Sequence, residues 1–258
     1  MSSTSNNEFQ IWLQRSLAAL FLTGQVVVHL LKGKINRRNT IEQMVIVGPD
    51  SLTIALATSI FVGMVFTIQV AREFLNFGAV QAIGGVLALA LSRELAPVLT
   101  AVVLAARVGS AFAAEIGTMK VTEQIDALYV LKSDPIDYLV IPRLLACCLM
   151  LPMLTMLSLV VGLIGGILVA TGFYNVSYVI FIESIQSFIQ VWDIVSALIK
   201  AVVFGALIAI VGCNWGLTTI GGARGVGEST TTAVVMALSA IFISNFFMSL
   251  LMFQGLSR

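Results

Sequence analysis

The sequence predicts an all-α, polytopic membrane protein with five transmembrane helices. Hydrophobic residues make up 59% of the 258 positions, charged residues only 10%, and the mean hydropathy is +1.02. A soluble domain carries about 25% charged and roughly 45–50% apolar residues. Because this surplus of apolar side chains cannot be buried in one globular core, lipid is the solvent that the chain requires. We expect a single domain over residues 1–258.

Five apolar stretches are long enough to cross a bilayer, for which a helix needs roughly 20 residues. Charges interrupt the second stretch at Arg93-Glu94 and the fourth at Lys200. The predicted transmembrane helices are 51–71, 80–106, 140–171, 194–215 and 230–254.

Lysine and arginine are concentrated in alternate connections, and this asymmetry predicts the orientation. Nine basic residues precede the first span or lie between spans 2 and 3 or spans 4 and 5: Lys32, Lys34, Arg37, Arg38, Arg107, Lys120, Lys132, Arg143 and Arg224. The other connections hold only Arg72 and Arg258. Basic loops stay in the cytoplasm, so we expect residues 32–50 inside and the C-terminus outside.

The N-terminal segment 8–31 has apolar side chains at helical spacing beside polar ones, and its uncharged part is short. This pattern favours a helix lying in the cytoplasmic membrane interface over the alternative, a sixth span. The single histidine, His29, is expected to be a solvated side chain and not a metal ligand.

The connection between spans 2 and 3 contains a short amphipathic helix, predicted over 117–133. Its apolar positions follow an i, i+4, i+7, i+8 pattern, with polar residues on the other face; they are Val121, Ile125, Leu128 and Tyr129. Asp134-Pro135 ends the helix, because the residue before proline disfavours the helical conformation. A bare apolar stripe on this helix predicts docking on the membrane or on another protein.

Arg93-Glu94 lies near the middle of the second span, where a charge costs at least about 2.5–3.5 kcal/mol. Such residues face a protein interior or a wet cavity and usually mark a substrate path. The alternative is that Arg93 and Glu94, or a charge on another helix, neutralise each other in a purely structural ion pair. Pro97 is expected to kink this helix. Lys200 is weaker as a site residue, because a long side chain near a helix end can snorkel.

Catalytic and cofactor motifs do not emerge from the sequence. Residues 222–229 resemble a phosphate-binding loop, but Glu228 replaces the required lysine. We expect a flexible turn there and no nucleotide. The three cysteines, Cys147, Cys148 and Cys213, lie in apolar runs and are expected to be buried hydrophobes. We therefore predict no enzyme activity, no metal, no cofactor and no nucleic-acid partner.

Three ordered motifs carry a resemblance to a known family. They are R-E-L-A-P at 93–97, A-R-V-G-S-A at 106–111, and A-E-I-G-T-M-K-V-T-E-Q-I-D-A-L at 114–128. In these motifs the chain resembles the MlaE family, the permease subunits of ABC transporters that work with MCE-domain lipid-binding proteins. The resemblance covers roughly residues 10–255.

The resemblance implies a homodimer that binds two copies of a cytosolic ATPase and, on the opposite face, an oligomer of MCE proteins. It implies a lipid cavity that involves Arg93, Glu94, Leu95, Pro97 and Gln69. It also makes the 117–133 helix a coupling helix, with ATPase contacts from Glu115, Gly117, Glu123, Gln124, Ile125 and Leu128. The membrane would be the bacterial inner membrane or the plastid inner envelope.

Two other readings stay open from the residues. One is an ion-coupled secondary transporter that uses Arg93 and Glu94, and the other is a non-transporting membrane scaffold. If the chain is a lipid-transporting permease, charge reversal at Glu94 is expected to abolish transport and to leave assembly intact.

Overall fold

The computed structural model describes residues 36–254 and, before them, 18–19, 21–26 and 28–29. The described residues form helices and contain no strand. Most of the predicted interfacial helix over 8–31 lies outside the described residues, although the described positions between 18 and 29 are helical.

The part of the chain from residue 36 to 254 contains eight helices. They are α1 (Arg37–Val47), α2 (Pro49–Asn76), α3 (Val80–Val121), α4 (Gln124–Val130), α5 (Ile136–Tyr174), α6 (Tyr178–Phe188), α7 (Val191–Leu217) and α8 (Gly222–Gln254). Five candidate spans are long and apolar enough to cross a membrane: α1 and α2 together, α3, α5, α7 and α8. The predicted fold class, all-α with five spans, is confirmed.

Helix α3 is not a regular α-helix along its whole length. It contains two π-helical turns, Leu91–Leu95 and Ala105–Gly109. The helix continues through Pro97, and the irregularity lies in the turn just before it. Such π turns are rare and frequently occur at functional sites.

The predicted helix over 117–133 is divided in the structure. The second span continues to Val121, and Glu123 has a positive φ of 61°, which ends the helical path before α4 begins. The C-terminal end of α4 is a Schellman turn: Ser133 N–H donates to Leu128 O and Lys132 N–H to Tyr129 O. A left-handed residue after a helix is typical of this motif, and Lys132 has a φ of 57°.

Two connections differ from the sequence prediction. Helix α6 lies between spans 3 and 4, where we predicted only a loop. Residues 222–229 are the first turns of α8, so the prediction of a flexible turn is wrong. The change of direction occurs at Gly221 and Gly222, which have φ values of 91° and 67°; only glycine adopts such values at little steric cost.

The chain forms two compact units. One holds the described residues up to Val47, with Leu104–Cys148 and Gly205–Ala240. The other holds Gly48–Val103, Leu149–Phe204 and the described residues from Ile241 onward. Among residues 36–254, seven of the ten lysines and arginines belong to the first unit. The predicted cytosolic connections, 107–143 and the turn before α8, are also in this unit.

The second unit is held by close helix packing around an apolar cluster that includes Leu87, Leu91 and Phe181. At its closest point α2 meets α5, where a Cβ on Gly63 would collide with the backbone of Gly162. Small residues permit such close approach of membrane helices. Ser184 of α6 accepts a hydrogen bond from Gly85 N–H at 2.8 Å and thereby satisfies a donor near the start of span 2.

Candidate functional site

The π turn Leu91–Leu95 carries Arg93 and Glu94, the two charged residues of the stretch 80–106. Pro97 has no N–H, so it cannot bond the carbonyl of Arg93 as the fourth residue along a regular helix would. The ammonium group of Lys200 on α7 donates to Arg93 O instead, at 2.7 Å. The proline of the R-E-L-A-P motif therefore leaves a backbone acceptor free for a charged partner.

The carboxylate of Glu94 accepts hydrogen bonds from three side chains. Lys200 Nζ lies 2.8 Å and Ser249 Oγ 2.6 Å from Oε1, and Asn245 Nδ2 lies 2.7 Å from Oε2. Asn245 and Ser249 belong to α8. Glu94 thus joins spans 2, 4 and 5 through charge-assisted hydrogen bonds, which are roughly twice as strong as neutral ones.

Lys200 is completely buried, with 0% of its side chain exposed. Its three donors have three acceptors, since it also donates to Ser249 Oγ at 2.7 Å, besides Arg93 O and Glu94. The reason for giving Lys200 less weight as a site residue, that its side chain can snorkel, does not hold, because the side chain is buried. A lysine can be buried in this way because its charge is paired and each donor is satisfied.

Arg93 has a different partner, Asp193 at the start of α7. Arg93 Nε donates to Asp193 Oδ1 at 2.7 Å, and Gln190 N–H donates to the other oxygen at 2.9 Å. The Arg93 guanidinium stacks 4.6 Å from the centre of the Phe253 ring. Its two terminal amino groups make no hydrogen bond within the described part of the chain.

We call these six side chains the charged network: Arg93, Glu94, Asp193, Lys200, Asn245 and Ser249. It contains two cations and two anions, so it is neutral overall. The buried members are Lys200 and Asp193, whereas the side chains of Arg93 and Glu94 are 38% and 41% exposed. The pair is therefore not sealed in the helix bundle of the chain.

Half of this network was not predicted from the sequence. In the sequence, Asp193 is an acidic residue just before the fourth apolar stretch. Asn245 and Ser249 are two uncharged polar residues within the fifth. Only an intramembrane Asn in the last span gave a weak signal, because buried polar side chains in membrane helices need partners.

The other residues predicted for the lipid cavity are not part of the charged network. Leu95 is half-buried and packs against the apolar cluster of the second unit. Pro97 is buried. Gln69 is exposed on α2 and makes no hydrogen bond to the charged network in the described chain.

The predicted coupling residues divide into buried and exposed groups. Ile125 is buried, so the predicted bare stripe is wrong at its centre. Glu123 and Gln124 are exposed, and Leu128 is half-buried. The exposed apolar surface lies instead at the end of α4 and just after it, on Tyr129, Val130 and Leu131, with Val130 83% exposed.

Glu115 and Gly117 lie on the last part of α3. Glu115 Oε2 accepts from Arg143 Nη2 at 2.7 Å and so joins α3 to α5. Gly117 is buried, and a Cβ there would lie 2.9 Å from Thr219 Oγ1. Gly117 therefore serves packing inside the first unit.

His29 is not a solvated side chain, which corrects the sequence prediction. Its Nδ1 lies 2.7 Å from Asp137 Oδ1, and its Nε2 lies 3.8 Å from Asp134 Oδ2. The three side chains are close enough to hold a metal ion. However, the two ring nitrogens face different carboxylates, whereas a metal would need both carboxylates beside one nitrogen. The geometry favours polar contacts from His29 that connect the N-terminal segment to the start of α5.

Comparison with known proteins agrees with this architecture. The family model described as "Permease MlaE" matches residues 40–251. A probable ABC transporter permease protein of Synechocystis sp. is 66% identical over 97% of this chain and 95% of its own. A chloroplast protein of Arabidopsis thaliana, named for trigalactosyldiacylglycerol, is 55% identical over 95% of this chain and 69% of its own.

A third relative comes from a red alga. A probable ABC transporter permease protein of Pyropia yezoensis is 46% identical over 96% of this chain and 94% of its own. These relatives and the family model cover the spans, the charged network and the α3–α4 segment together. The chain belongs to the MlaE family of ABC transporter permeases.

Proposed function

We propose that this permease moves a phospholipid or related lipid, as a homodimer driven by two copies of a cytosolic ATPase, and passes it to or from an MCE-domain oligomer. The observation that carries the proposal is the charged network on π-turned α3. Its arginine and glutamate keep exposed faces in the stretch 80–106, which holds no other charged residue.

The exposed chemistry of the network suits a lipid headgroup. The Arg93 guanidinium uses its Nε to bond Asp193. Its two terminal amino groups can then donate two parallel hydrogen bonds to a phosphate or to sugar hydroxyls. The surrounding apolar helices suit acyl chains. The Arabidopsis relative is named for a galactolipid, which supports a lipid substrate without fixing its headgroup.

The network does not favour the ion-coupled alternative. All three donors of Lys200 are used, and both carboxylate oxygens of Glu94 accept hydrogen bonds inside the protein. A coupling ion would have to displace these bonds. The ATP-driven mechanism requires no such exchange.

The α4 segment is proposed as the ATPase contact. Its main contact residues are the exposed Val130 and Leu131, and not the buried Ile125. Exposed apolar side chains at the end of a short, capped helix are suited to docking in a protein groove. The MCE partner, the dimer and the inner or envelope membrane rest on the family resemblance and on the chloroplast and algal relatives.

The substrate proposal is tested by Arg93→Lys. This change keeps the charge and the bond to Asp193, but it removes the paired terminal amino groups and the planar guanidinium that stacks on Phe253. Charge reversal at Glu94 is a poorer test, because it would also leave the buried Lys200 without its counter-charge. The matched control is Arg224→Lys, at an exposed arginine on α8.

We expect Arg93→Lys to assemble with the ATPase and to transfer labelled lipid about tenfold more slowly, since Arg and Lys are not equivalent at forked or stacked sites. Reconstituted complexes of equal ATPase content provide the measurement. Lipid transfer equal to that of Arg224→Lys would exclude Arg93 from headgroup binding.

The ATPase contact is tested by comparing Val130→Arg with Ile125→Arg. We expect Val130→Arg to keep the melting temperature and to lose ATPase co-purification, because its side chain contacts little in this chain. Ile125→Arg should lower the melting temperature as well, because it places a charge at a buried position. An intact ATPase complex with Val130→Arg would contradict the docking surface.

A further inference from the structure

Arg143, near the start of α5, is the most enclosed charged group among the described residues of the first unit, with 8% of its side chain exposed. Its guanidinium donates to Glu115 Oε2 at 2.7 Å and to Leu139 O at 2.9 Å, and it stacks 5.3 Å from the centre of the Phe112 ring. It therefore ties α5 to the part of α3 that leads into α4.

The third donor of Arg143 is not used in the same way. Its Nε is buried and makes no hydrogen bond with the described part of the chain. The same holds for Gln43 Oε1 on α1. A buried donor and a buried acceptor without partners are both unfavourable, so each of these two atoms requires an explanation.

The residues Gln43 and Arg143 line one cavity of about 170 Å³, together with Asn39, Glu42, Tyr138, Leu139 and Pro142. On another side, Arg143 lines a cleft of about 480 Å³ together with Glu115, Thr118 and Gln124. Close-packed side chains cannot exchange partners without moving their neighbours. Arg143 has space on two sides, and each space presents an acceptor.

We propose that Arg143 is a positioning residue that exchanges between Glu115 and Gln43 as the α3–α4 segment moves during the ATPase cycle. In the arrangement seen here the guanidinium holds Glu115, which couples α5 to α3. When α3–α4 moves away, Nε and the terminal amino groups bond Gln43 across the cavity, which couples α5 to α1. This inference rests on the proposed function, because it assigns a route for the ATPase motion.

Two variants separate this role from simple stability. Gln43→Leu removes the second acceptor at similar volume, and Arg143→Lys keeps the charge but cannot span the three donors' positions. Arg224→Lys, an exposed arginine with a weak i, i+4 partner, is the matched control. The measurement is lipid transferred per ATP hydrolysed by the reconstituted full-length permease with its ATPase, alongside the melting temperature.

We expect Gln43→Leu to assemble, to hydrolyse ATP, and to transfer about tenfold less lipid per ATP, since one charge-assisted bond is lost from one state only. Arg143→Lys should show the same or a larger loss, and Arg224→Lys none. A purely structural role would lower the melting temperature and the yield of complex, with lipid per ATP unchanged.

Unchanged lipid per ATP in Gln43→Leu overturns the exchange, even when Arg143→Lys fails to assemble. Failure of the wild-type complex to transfer lipid would instead overturn the proposed function itself. The two failures are therefore distinguished by the wild-type measurement.

Discussion

Removing the ammonium group of Lys200 should be among the most destabilising single changes in this permease. Lys200→Met keeps the length and apolar stem of the side chain but removes three hydrogen bonds, to Arg93 O, Glu94 and Ser249. The carbonyl of Arg93 would lose the Lys200 donor, which Pro97 cannot replace because it has no N–H. The carboxylate of Glu94 would lose its ion-pair partner, Lys200.

The magnitude follows from the burial of the two partners. Breaking a buried ion pair by removing one partner costs about 3–5 kcal/mol. Because the side chain of Glu94 is 41% exposed and can be hydrated, we expect a value near the lower limit, about 3 kcal/mol. For a protein of this size that corresponds to a fall in melting temperature of roughly 6–12 °C.

The double variant with Glu94→Gln provides the internal check. The new amide can donate to Asn245 Oδ1, which is buried and has no hydrogen bond in the described part of the chain. It also removes the unpaired charge that Lys200→Met leaves behind. The double variant should therefore be at least as stable as Lys200→Met alone.

Thermal unfolding in one detergent, with Lys120→Met as control, gives the measurement. Lys120 is partly exposed and makes a single 3.3 Å contact with Asp126, so its loss should cost no more than about 1 kcal/mol. A Lys200→Met protein that melts together with the control would refute the charged network as an energetic unit. So would a double variant much less stable than Lys200→Met.

Three further changes test the packing of the chain by melting temperature. Gly63→Ala should destabilise the protein by about 1–3 kcal/mol, because the new methyl group meets the backbone of Gly162. The control Gly172→Ala, with open space around it, should be neutral or stabilising. Equal effects of the two changes would contradict the close contact. Glu123→Gly should stabilise by up to about 1 kcal/mol by removing left-handed strain, and a loss of stability would show that the Glu123 side chain matters more than its backbone. Ser184→Ala should cost about 1 kcal/mol by leaving an N–H at the start of span 2 without its acceptor, and an unchanged melting temperature would contradict that role.

The five spans were predictable because they depend on composition alone. A run of roughly 20 apolar residues has no stable place outside lipid, whatever its neighbours are. The second span was predicted to end at residue 106 but continues to Val121. Hydropathy marks the apolar part of a helix, and helical geometry can continue beyond it.

The charged network was predictable only where it broke the apolar pattern. Arg93 and Glu94 stood out because intramembrane charges are rare. A partner charge on another helix was one of the alternatives, but its residues were not identified, since Asp193 and Lys200 lie at positions where a membrane-surface location was equally consistent with the sequence. The pairing of residues about 100 positions apart depends on helix packing, which periodicity does not contain.

For the α4 segment, the pattern was predicted but the surface that covers it was not. Its amphipathic pattern was read correctly, but the sequence could not tell whether the apolar face would be covered by the same chain or by a partner. Ile125 is covered by the first unit, and only the end of α4 is left exposed. Likewise, the glycine-rich stretch 222–229 is helical because Gly221 and Gly222 complete the turn before it.

The central claim, that the charged network contacts the transported lipid, is tested most directly by photocrosslinking beside Arg93. Benzoylphenylalanine would replace Phe253, whose ring stacks on the Arg93 guanidinium, and, as control, Phe246, an exposed aromatic on the same helix. We predict that lipid crosslinking at 253 changes severalfold when the ATPase is supplied with ATP, while crosslinking at 246 stays constant. Crosslinking that is independent of ATP at both positions would contradict the account.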